Sequence, residues 1–389
     1  MRPRTICFFG GDVTRCGGTE RASTMLGSLL HRQGRYRVIF LSLVEREREP
    51  FFPLDEDIPH YRLGDAWIPP GPGYLKLLPR LRNFLQEQDI DVVIDVDIVL
   101  DALSVPAAMG LKTRVVSWEH FNCHFEESVL YRRLILHCLV RRSDYVVTLT
   151  ERDREQYLQW VGHRQRIRAI RNPVEPPVLT PGVKKEKWII TVGRLAPEKG
   201  PEKLLEVARR VLKRHPDWRW LLLGEGESRQ FLEKGIRDGQ LEDRLLLIGG
   251  VRNVSDYLQR AQIYVMTSLY EGLGICLLEA KAHRLPCVAF DVPTGPGELI
   301  ADGVNGCLIP AFDWVGMAEM ISRLIEDPAL RERFADRAGL GMERCRPDHV
   351  LAQWDQVIEE VCPSGKEAED GGANGICHHP SLPGGTVFR

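Results

Sequence analysis

The feature that most constrains the fold is a succession of strand, glycine-containing loop and helix that occurs twice along the chain. In the first half, the apolar run 5–9 is followed by the glycine-rich stretch 10–18 and an amphipathic segment. In the second half, the run 188–192 leads into a loop from Gly193 and then into helical apolar spacing over 201–214. Short apolar runs alternating with helices predict parallel sheets covered on both faces. We therefore predict an α/β protein with two Rossmann-like, doubly wound domains that face each other across a cleft.

The boundary between the halves is a segment rich in proline. Residues 171–182 contain four prolines, which is typical of a stiff linker. The last residues contain much glycine and little apolar content, which favours disorder. The predicted organisation is an N-terminal domain over 1–175, a linker over 176–187, a C-terminal domain over 188–345, a helix over 346–362 and a disordered tail over 363–389.

Composition excludes several classes of protein. The 52 Lys and Arg balance 54 Asp and Glu, which excludes a generally basic nucleic-acid binder and an acidic disordered chain. The apolar runs are far shorter than the roughly 20 residues of a membrane span, and the one near the start is too short for a signal peptide. The ten cysteines form no C-x-x-C pair, which excludes zinc-finger and thioredoxin-like motifs. We expect a cytoplasmic protein with at most peripheral contact with the inner face of a membrane.

Two loops carry residues suited to phosphate. Gly17 and Gly18 follow the first strand and precede a helix, where free N–H groups favour an anion, although a plain turn is the alternative. In the second half, Gly193 is followed by Arg194, which can bind phosphate with two hydrogen bonds, and by Lys199, which adds a point charge. Here the alternative is a solvated charged loop.

Two further segments carry residues suited to hydroxyl groups. Glu271 and Glu279 enclose Gly272 and Gly274, and carboxylates accept several hydrogen bonds from hydroxyl-rich ligands. Glu279 could instead lie on a solvated helix face. His120 follows a strand of the first half and is expected to face the cleft, although a lone histidine is more often structural.

These segments together resemble a known family. The chain contains G-G-T-E-R at 17–21, N-P-V at 172–174, G-R-L-A-P-E-K-G at 193–200 and an E-x7-E pair at 271–279. This combination resembles the retaining glycosyltransferases of family 4, which have the GT-B fold, over about residues 5–362. W-E-H-F-N at 118–122 and the D-V-P-T-G-P-G-E run resemble the branch that includes amylovoran, exopolysaccharide and O-antigen transferases.

The resemblance implies that the domain over 1–175 lies on the acceptor side and that the domain over 188–345 binds the nucleotide-sugar donor, and it also implies roles for individual residues. Arg194 and Lys199 would hold the donor diphosphate, Glu279 the ribose, and Glu271 and His120 the donor sugar. The implied catalytic residues are Glu271, Arg194, Lys199 and His120. The implied donor-binding residues are Gly17, Gly18, Gly193, Gly272, Leu273, Gly274, Ile275 and Glu279.

The resemblance also implies an activity. The enzyme would move a hexose with retention from a nucleotide sugar, with UDP as the expected nucleotide, to a glycan or polyprenyl-diphosphate-linked acceptor, without metal or other cofactor. Two alternatives stay open, a UDP-sugar epimerase of the same fold and an inactive carbohydrate-binding relative. Asp95 and Asp97 form a D-x-D pair that could hold a divalent ion, although the paired α/β halves argue against this use.

Overall fold

Each half of the chain forms one parallel sheet in the computed structural model, which describes residues 2–66, 72–122, 129–162 and 166–363. The predicted disordered tail lies outside these residues except for Pro363. In the first half the sheet order is β3-β2-β1-β4-β5-β6-β7. Its strands are β1 Arg4–Gly10, β2 Tyr36–Ser42, β3 His60–Arg62, β4 Val92–Val96, β5 Arg114–Trp118, β6 Tyr145–Thr148 and β7 Ile167–Ala169.

Helices cover both faces of this first sheet. They are α1 Gly18–Arg32, α2 Leu78–Glu87, α3 Asp101–Ala108, α4 Leu130–Cys138 and α5 Glu151–Val161. The strands are apolar on both faces because each face packs against helices. At the start of α5, the Thr150 hydroxyl accepts a 3.1 Å hydrogen bond from the Asp153 N–H, so a side chain satisfies a free donor of the first turn.

The second half repeats this architecture, with the sheet order β10-β9-β8-β11-β12-β13. Its strands are β8 Trp188–Val192, β9 Arg219–Leu223, β10 Leu245–Gly249, β11 Ile263–Met266, β12 Cys287–Asp291 and β13 Cys307–Pro310. Its helices are α6 Pro201–Arg214, α7 Arg229–Asp238, α8 Val254–Arg260, α9 Ile275–Ala282, α10 Pro296–Leu299, α11 Trp314–Glu326 and α12 Pro328–Arg337. In both sheets the strand order reverses beside the first strand of the half, which is the topological switch point.

The predicted fold class is confirmed. The second sheet begins at Trp188, where the sequence pattern restarts, and the predicted strands at 5–9 and 188–192 correspond to β1 and β8. The short strands β3, β7 and β13 were not predicted, because three or four residues that include arginine, histidine or proline do not produce a recognisable apolar run.

The last described helix, α13 Pro347–Val361, packs against the first half although it follows the second half in sequence. Trp354 lies 5.0 Å from Trp118 between ring centroids. Asp355 accepts a 2.8 Å hydrogen bond from the Tyr36 hydroxyl, and Glu359 pairs with Arg4 at 2.6 Å. The chain therefore crosses between the halves twice.

Across the described ranges, every helix is too short or too polar to cross a bilayer.

Candidate functional site

A cleft between the two halves contains all twelve residues that the sequence nominated. It has an open volume of ≈ 1390 Å³. The residues in question are Gly17, Gly18, His120, Gly193, Arg194, Lys199, Glu271, Gly272, Leu273, Gly274, Ile275 and Glu279.

Sheet topology explains why these loops meet. Strands β8 and β11 are neighbours at the switch point of the second sheet, so the loops after Val192 and Met266 lie side by side. Loops at the carboxyl ends of parallel strands line the crevice in which such sheets bind ligands. The loops after Gly10 and Trp118 close the cleft from the first half.

Lys199 and Glu271 form the charged centre of the second-half wall. Lys199 Nζ lies 2.7 Å from Glu271 Oε1, which also accepts a 2.6 Å hydrogen bond from the Ser268 hydroxyl. Burial opposes the charge on Lys199, but the Glu271 carboxylate outweighs it and raises the pKa of Lys199 above its ordinary value. Lys199 therefore stays protonated, with 31% of its side chain still exposed to an incoming anion.

Arg194 lies beside this pair and forms an ion pair with Glu198 one turn away. Its side chain is 42% exposed, so the guanidinium can exchange a solvent-screened partner for a phosphate.

His120 contributes a neutral imidazole from the first half. Its ring centroid is 4.2 Å from that of Trp118. Burial lowers the pKa of His120 to about 3, so the ring is uncharged at neutral pH. Its Nε2 atom is buried, and no hydrogen-bond partner for it exists among the described residues. This atom is therefore available for a hydrogen bond with a ligand in the cleft.

The loop that carries His120 touches the second half directly. A Cβ atom at Gly272 would collide with the carbonyl oxygen of His120, so only glycine permits this approach. The Asn122 side chain donates a 3.1 Å hydrogen bond to the carbonyl of Glu271. Buried Glu119 orders the same loop, because it accepts a 2.7 Å hydrogen bond from Phe121 N–H and another from the Tyr157 hydroxyl.

Arg21 is a cleft residue whose role was not predicted. It forms an ion pair with Glu279, which is buried rather than on a solvated helix face. Burial raises the pKa of Glu279, and the positive charge of Arg21 opposes that rise. The Arg21 guanidinium also lies 5.3 Å from the ring centroid of Phe52. The G-G-T-E-R motif contained Arg21, but its partner could not be read from the sequence.

The glycine pair of the first loop has a steric role. A Cβ atom at Gly17, which precedes α1, would collide with the carboxylate of Glu20 in the first turn of that helix, and one at Gly18 would lie 3.2 Å from the Ile275 side chain of the second half. Both glycines therefore let α1 and its loop approach neighbouring groups closely.

The D-x-D pair is engaged by the protein itself. Asp95 is fully buried and accepts a hydrogen bond from Ser104. Asp97 binds Arg132 through two hydrogen bonds of 2.9 and 3.1 Å. Within the described part of the chain, no cluster of three or more His, Cys, Asp or Glu side chains is arranged to hold a metal.

Two family models match the two halves. Residues 17–173 match the glycosyl transferase 4-like domain, and residues 180–339 match the glycosyl transferases group 1.

Similar proteins span nearly the whole chain. An uncharacterized glycosyltransferase of Haemophilus influenzae is 29% identical over 91% of this chain and 100% of its own. The amylovoran biosynthesis glycosyltransferase AmsD of Erwinia amylovora is 27% identical over 89% of this chain and 97% of its own. A Campylobacter jejuni N-acetyl-D-galactosaminyltransferase, named for an undecaprenol-diphosphate-linked GalNAc substrate, is 24% identical over 89% of this chain and 96% of its own.

Solved structures agree on the fold. S. aureus TarM, in complex with fondaparinux, alpha-GlcNAc-glycerol and UDP, superposes with a TM-score of 0.78 at 16% identity over 91% of this chain and 99% of its own. The pneumococcal O-GlcNAc transferase GtfA, in complex with UDP and GlcNAc, gives 0.78 at 16% identity over 94% of this chain and 100% of its own.

Proposed function

We propose that this chain, which is a family 4-like glycosyltransferase of the GT-B fold, transfers a hexose with retention from a UDP-sugar. The family membership follows because its two halves match the glycosyl transferase 4-like and group 1 families. The observation that carries the proposal is the convergence of Arg194, Lys199, Glu271 and Glu279 from the second half with His120 from the first half. UDP is the proposed nucleotide because TarM and GtfA were both crystallised with it.

The proposed chemistry needs stabilisation of a leaving group. The bond between the sugar C1 and the diphosphate oxygen breaks, a bond from C1 to the acceptor oxygen forms, and the acceptor proton passes to the departing phosphate oxygen. Negative charge develops on the diphosphate, so preorganised cations such as Lys199 and Arg194 are the main requirement. The low pKa of His120 makes it a weak base, which supports a route in which the phosphate takes the proton and His120 only binds the sugar.

The proposed acceptor is a glycan or a polyprenyl-diphosphate-linked saccharide in cell-surface polysaccharide synthesis. Support comes from two relatives that align over most of both chains, one named for amylovoran biosynthesis and one for an undecaprenol-linked acceptor. A lipid-linked acceptor would require peripheral contact with the cytoplasmic face of a membrane. We propose that no metal takes part, since cationic side chains can neutralise the diphosphate.

A donor screen tests this function. The purified protein is mixed with UDP- and GDP-sugars and hexosyl lipid acceptors, with and without a chelator, and release of nucleoside diphosphate is measured. We expect release with a UDP-hexose that is insensitive to chelator, and a product whose anomeric configuration by NMR matches the donor.

The other outcomes are distinguishable. Conversion of the donor into another nucleotide sugar without release would identify an epimerase. Loss of activity with chelator would indicate that a divalent ion takes part, and Asp95 and Asp97 would then be the candidate ligands. Nucleotide binding without release from any donor would leave only a carbohydrate-binding relative.

A further inference from the structure

A second cavity opens from the cleft into the first half. Its open volume is ≈ 1260 Å³. Several of its lining residues also line the donor cleft, so the two spaces are continuous. The shared residues are Arg15, Thr19, Phe121, Arg194, Glu198 and Tyr270.

The charged side chains of this cavity disfavour an anionic ligand in addition to the proposed donor diphosphate. Its acidic lining residues are Asp12, Glu20, Asp97 and Glu198, and its cations are Arg15, Arg132 and Arg194. Each of these arginines has a carboxylate partner. The pairs are Arg132 with Asp97, Arg194 with Glu198, and Arg15 with Glu20 at 3.6 Å. Because Arg194 is the cation proposed for the donor diphosphate, a further phosphate or carboxylate in this cavity would have to displace Arg132 from Asp97 or Arg15 from Glu20.

Glu20 has unused hydrogen-bonding capacity in the cavity wall. The residue is 8% exposed, and its Oε2 atom has no hydrogen-bond partner among the described residues. The same holds, within the described ranges, for Oδ2 of Asp12 and the hydroxyl of Tyr74, which also line the cavity. Burial raises the pKa of Glu20, while the charge of Arg15 and hydrogen bonds from the Glu20 N–H and the Thr19 side chain oppose that rise. Such groups gain most from a ligand that donates hydrogen bonds.

We propose that this cavity holds the terminal unit of the acceptor, and that this unit is an uncharged, hydroxyl-bearing sugar bound through Glu20 rather than an alditol phosphate or a sugar acid. Sugar hydroxyls can donate to Glu20 and Asp12, since carboxylates accept several hydrogen bonds. The rings of Tyr74, Tyr131 and Phe121 offer apolar surface for the face of a sugar ring. The assignment rests on the proposed transferase function and specifies its acceptor.

An acceptor panel tests the assignment in the wild-type protein. With the active UDP-sugar as donor, UDP release is measured with octyl glycosides of glucose, galactose, mannose, GlcNAc and GalNAc. Octyl glucuronide, glycerol phosphate and ribitol phosphate form the anionic arm. We expect at least one neutral glycoside to accelerate release above slow donor hydrolysis, and the anionic compounds not to do so. Stimulation only by an anionic compound, or by none of the panel, would overturn the assignment.

A matched pair of variants tests the residue. Glu20→Gln keeps the size of the side chain but removes its charge, and we expect the KM for the neutral glycoside to rise roughly tenfold. Glu49→Gln makes the same change at an exposed position outside the cavity and should match wild type. An unchanged glycoside KM in Glu20→Gln, with UDP release intact, would exclude Glu20 as a contact.

The two proposals fail differently. UDP affinity, measured by calorimetry, should be the same in Glu20→Gln and wild type. Absence of UDP binding or release in the wild-type protein would contradict the transferase function, whereas normal donor use with the wrong acceptor preference would contradict the acceptor assignment alone.

Discussion

Arg21 and Glu279 form an ion pair that joins α1 of the first half to α9 of the second half across the cleft. The pair holds the buried carboxylate that we propose for the ribose, and it brings the guanidinium beside Phe52. The first half is thus in contact with the proposed nucleotide site, although most of the proposed donor-binding residues belong to the second half.

The Arg21–Glu279 pair predicts a shift in the pH dependence of nucleotide binding. In Arg21→Gln, the buried Glu279 carboxyl loses its cation, so its already raised pKa should rise further. A protonated carboxyl accepts fewer hydrogen bonds from ribose. As the pH is lowered, the UDP affinity of Arg21→Gln should therefore begin to fall at a higher pH than the UDP affinity of wild type. Calorimetry from about pH 8 to about pH 5 would measure this. Arg21→Lys should restore the wild-type profile, and identical profiles in all three proteins would refute the role.

Lys199→Ala should lower turnover by roughly 10²–10³ because it removes a preorganised positive charge from the leaving group. Single-turnover release of UDP from a saturating donor would measure the change. Lys213→Ala removes an exposed lysine from helix α6 and should behave as wild type. Equal rates in the two variants would remove Lys199 from the mechanism.

His120 should make stability depend on pH in acid. Its pKa is lowered from 6.5 in the unfolded chain to about 3 in the folded protein, so between these values the unfolded chain binds more protons. Stability therefore falls as pH decreases through this window, by at most about 1.4 kcal/mol per pH unit for one proton. The free energy of unfolding, measured by denaturant titration at several pH values, should change less steeply with pH in His120→Asn than in wild type. A slope as steep in the variant as in wild type would argue that His120 is not buried as described.

Gly272→Ala should push the two halves apart, because the added Cβ would meet the His120 carbonyl. We expect a loss of roughly 1–3 kcal/mol in the free energy of unfolding and a higher donor KM. Gly339→Ala is the matched control, since its Cβ would contact nothing within 4 Å. Small-angle scattering would detect a wider cleft, and an unchanged scattering curve with unchanged KM would contradict the close contact.

Trp354→Ala should destabilise the first half, although the residue follows the second half in sequence. Trp354 is fully buried against Trp118, and truncation of a buried tryptophan costs about 3–5 kcal/mol. His349→Ala, at an exposed position of the same helix, should cost far less. Hydrogen exchange should show the loss of protection in β5 and β6; protection lost only in the second half would contradict the packing.

Much of the fold could be predicted because buried parallel strands leave uninterrupted apolar runs. The site loops could be predicted for a related reason, since each follows such a run and therefore lies at the carboxyl edge of a sheet. Arg194, Lys199, Glu271 and Glu279 are close in sequence to the strands that position them, so local pattern was sufficient to bring them to one edge.

Contacts between distant segments could not be predicted. The pairing of Arg21 with Glu279 and of α13 with the first half depends on how the two halves face each other. The pairing of Asp97 with Arg132 depends on how α4 packs beside the end of β4 within the first half. An amphipathic helix shows that one face will be buried but not which surface will cover it. The second cavity is likewise formed by loops from separate strands and leaves no continuous motif.

The docking of α13 has a consequence for biosynthesis. Domains usually begin to fold as they leave the ribosome, the N-terminal one first. Here the apolar surface around Trp118 that receives Trp354 stays uncovered until residues 347–361, which follow the whole second half, have been translated. The half that is synthesised first is therefore the half whose core is completed last. A nascent chain arrested before residue 347 should bind chaperones through the apolar surface of the first half that α13 would cover.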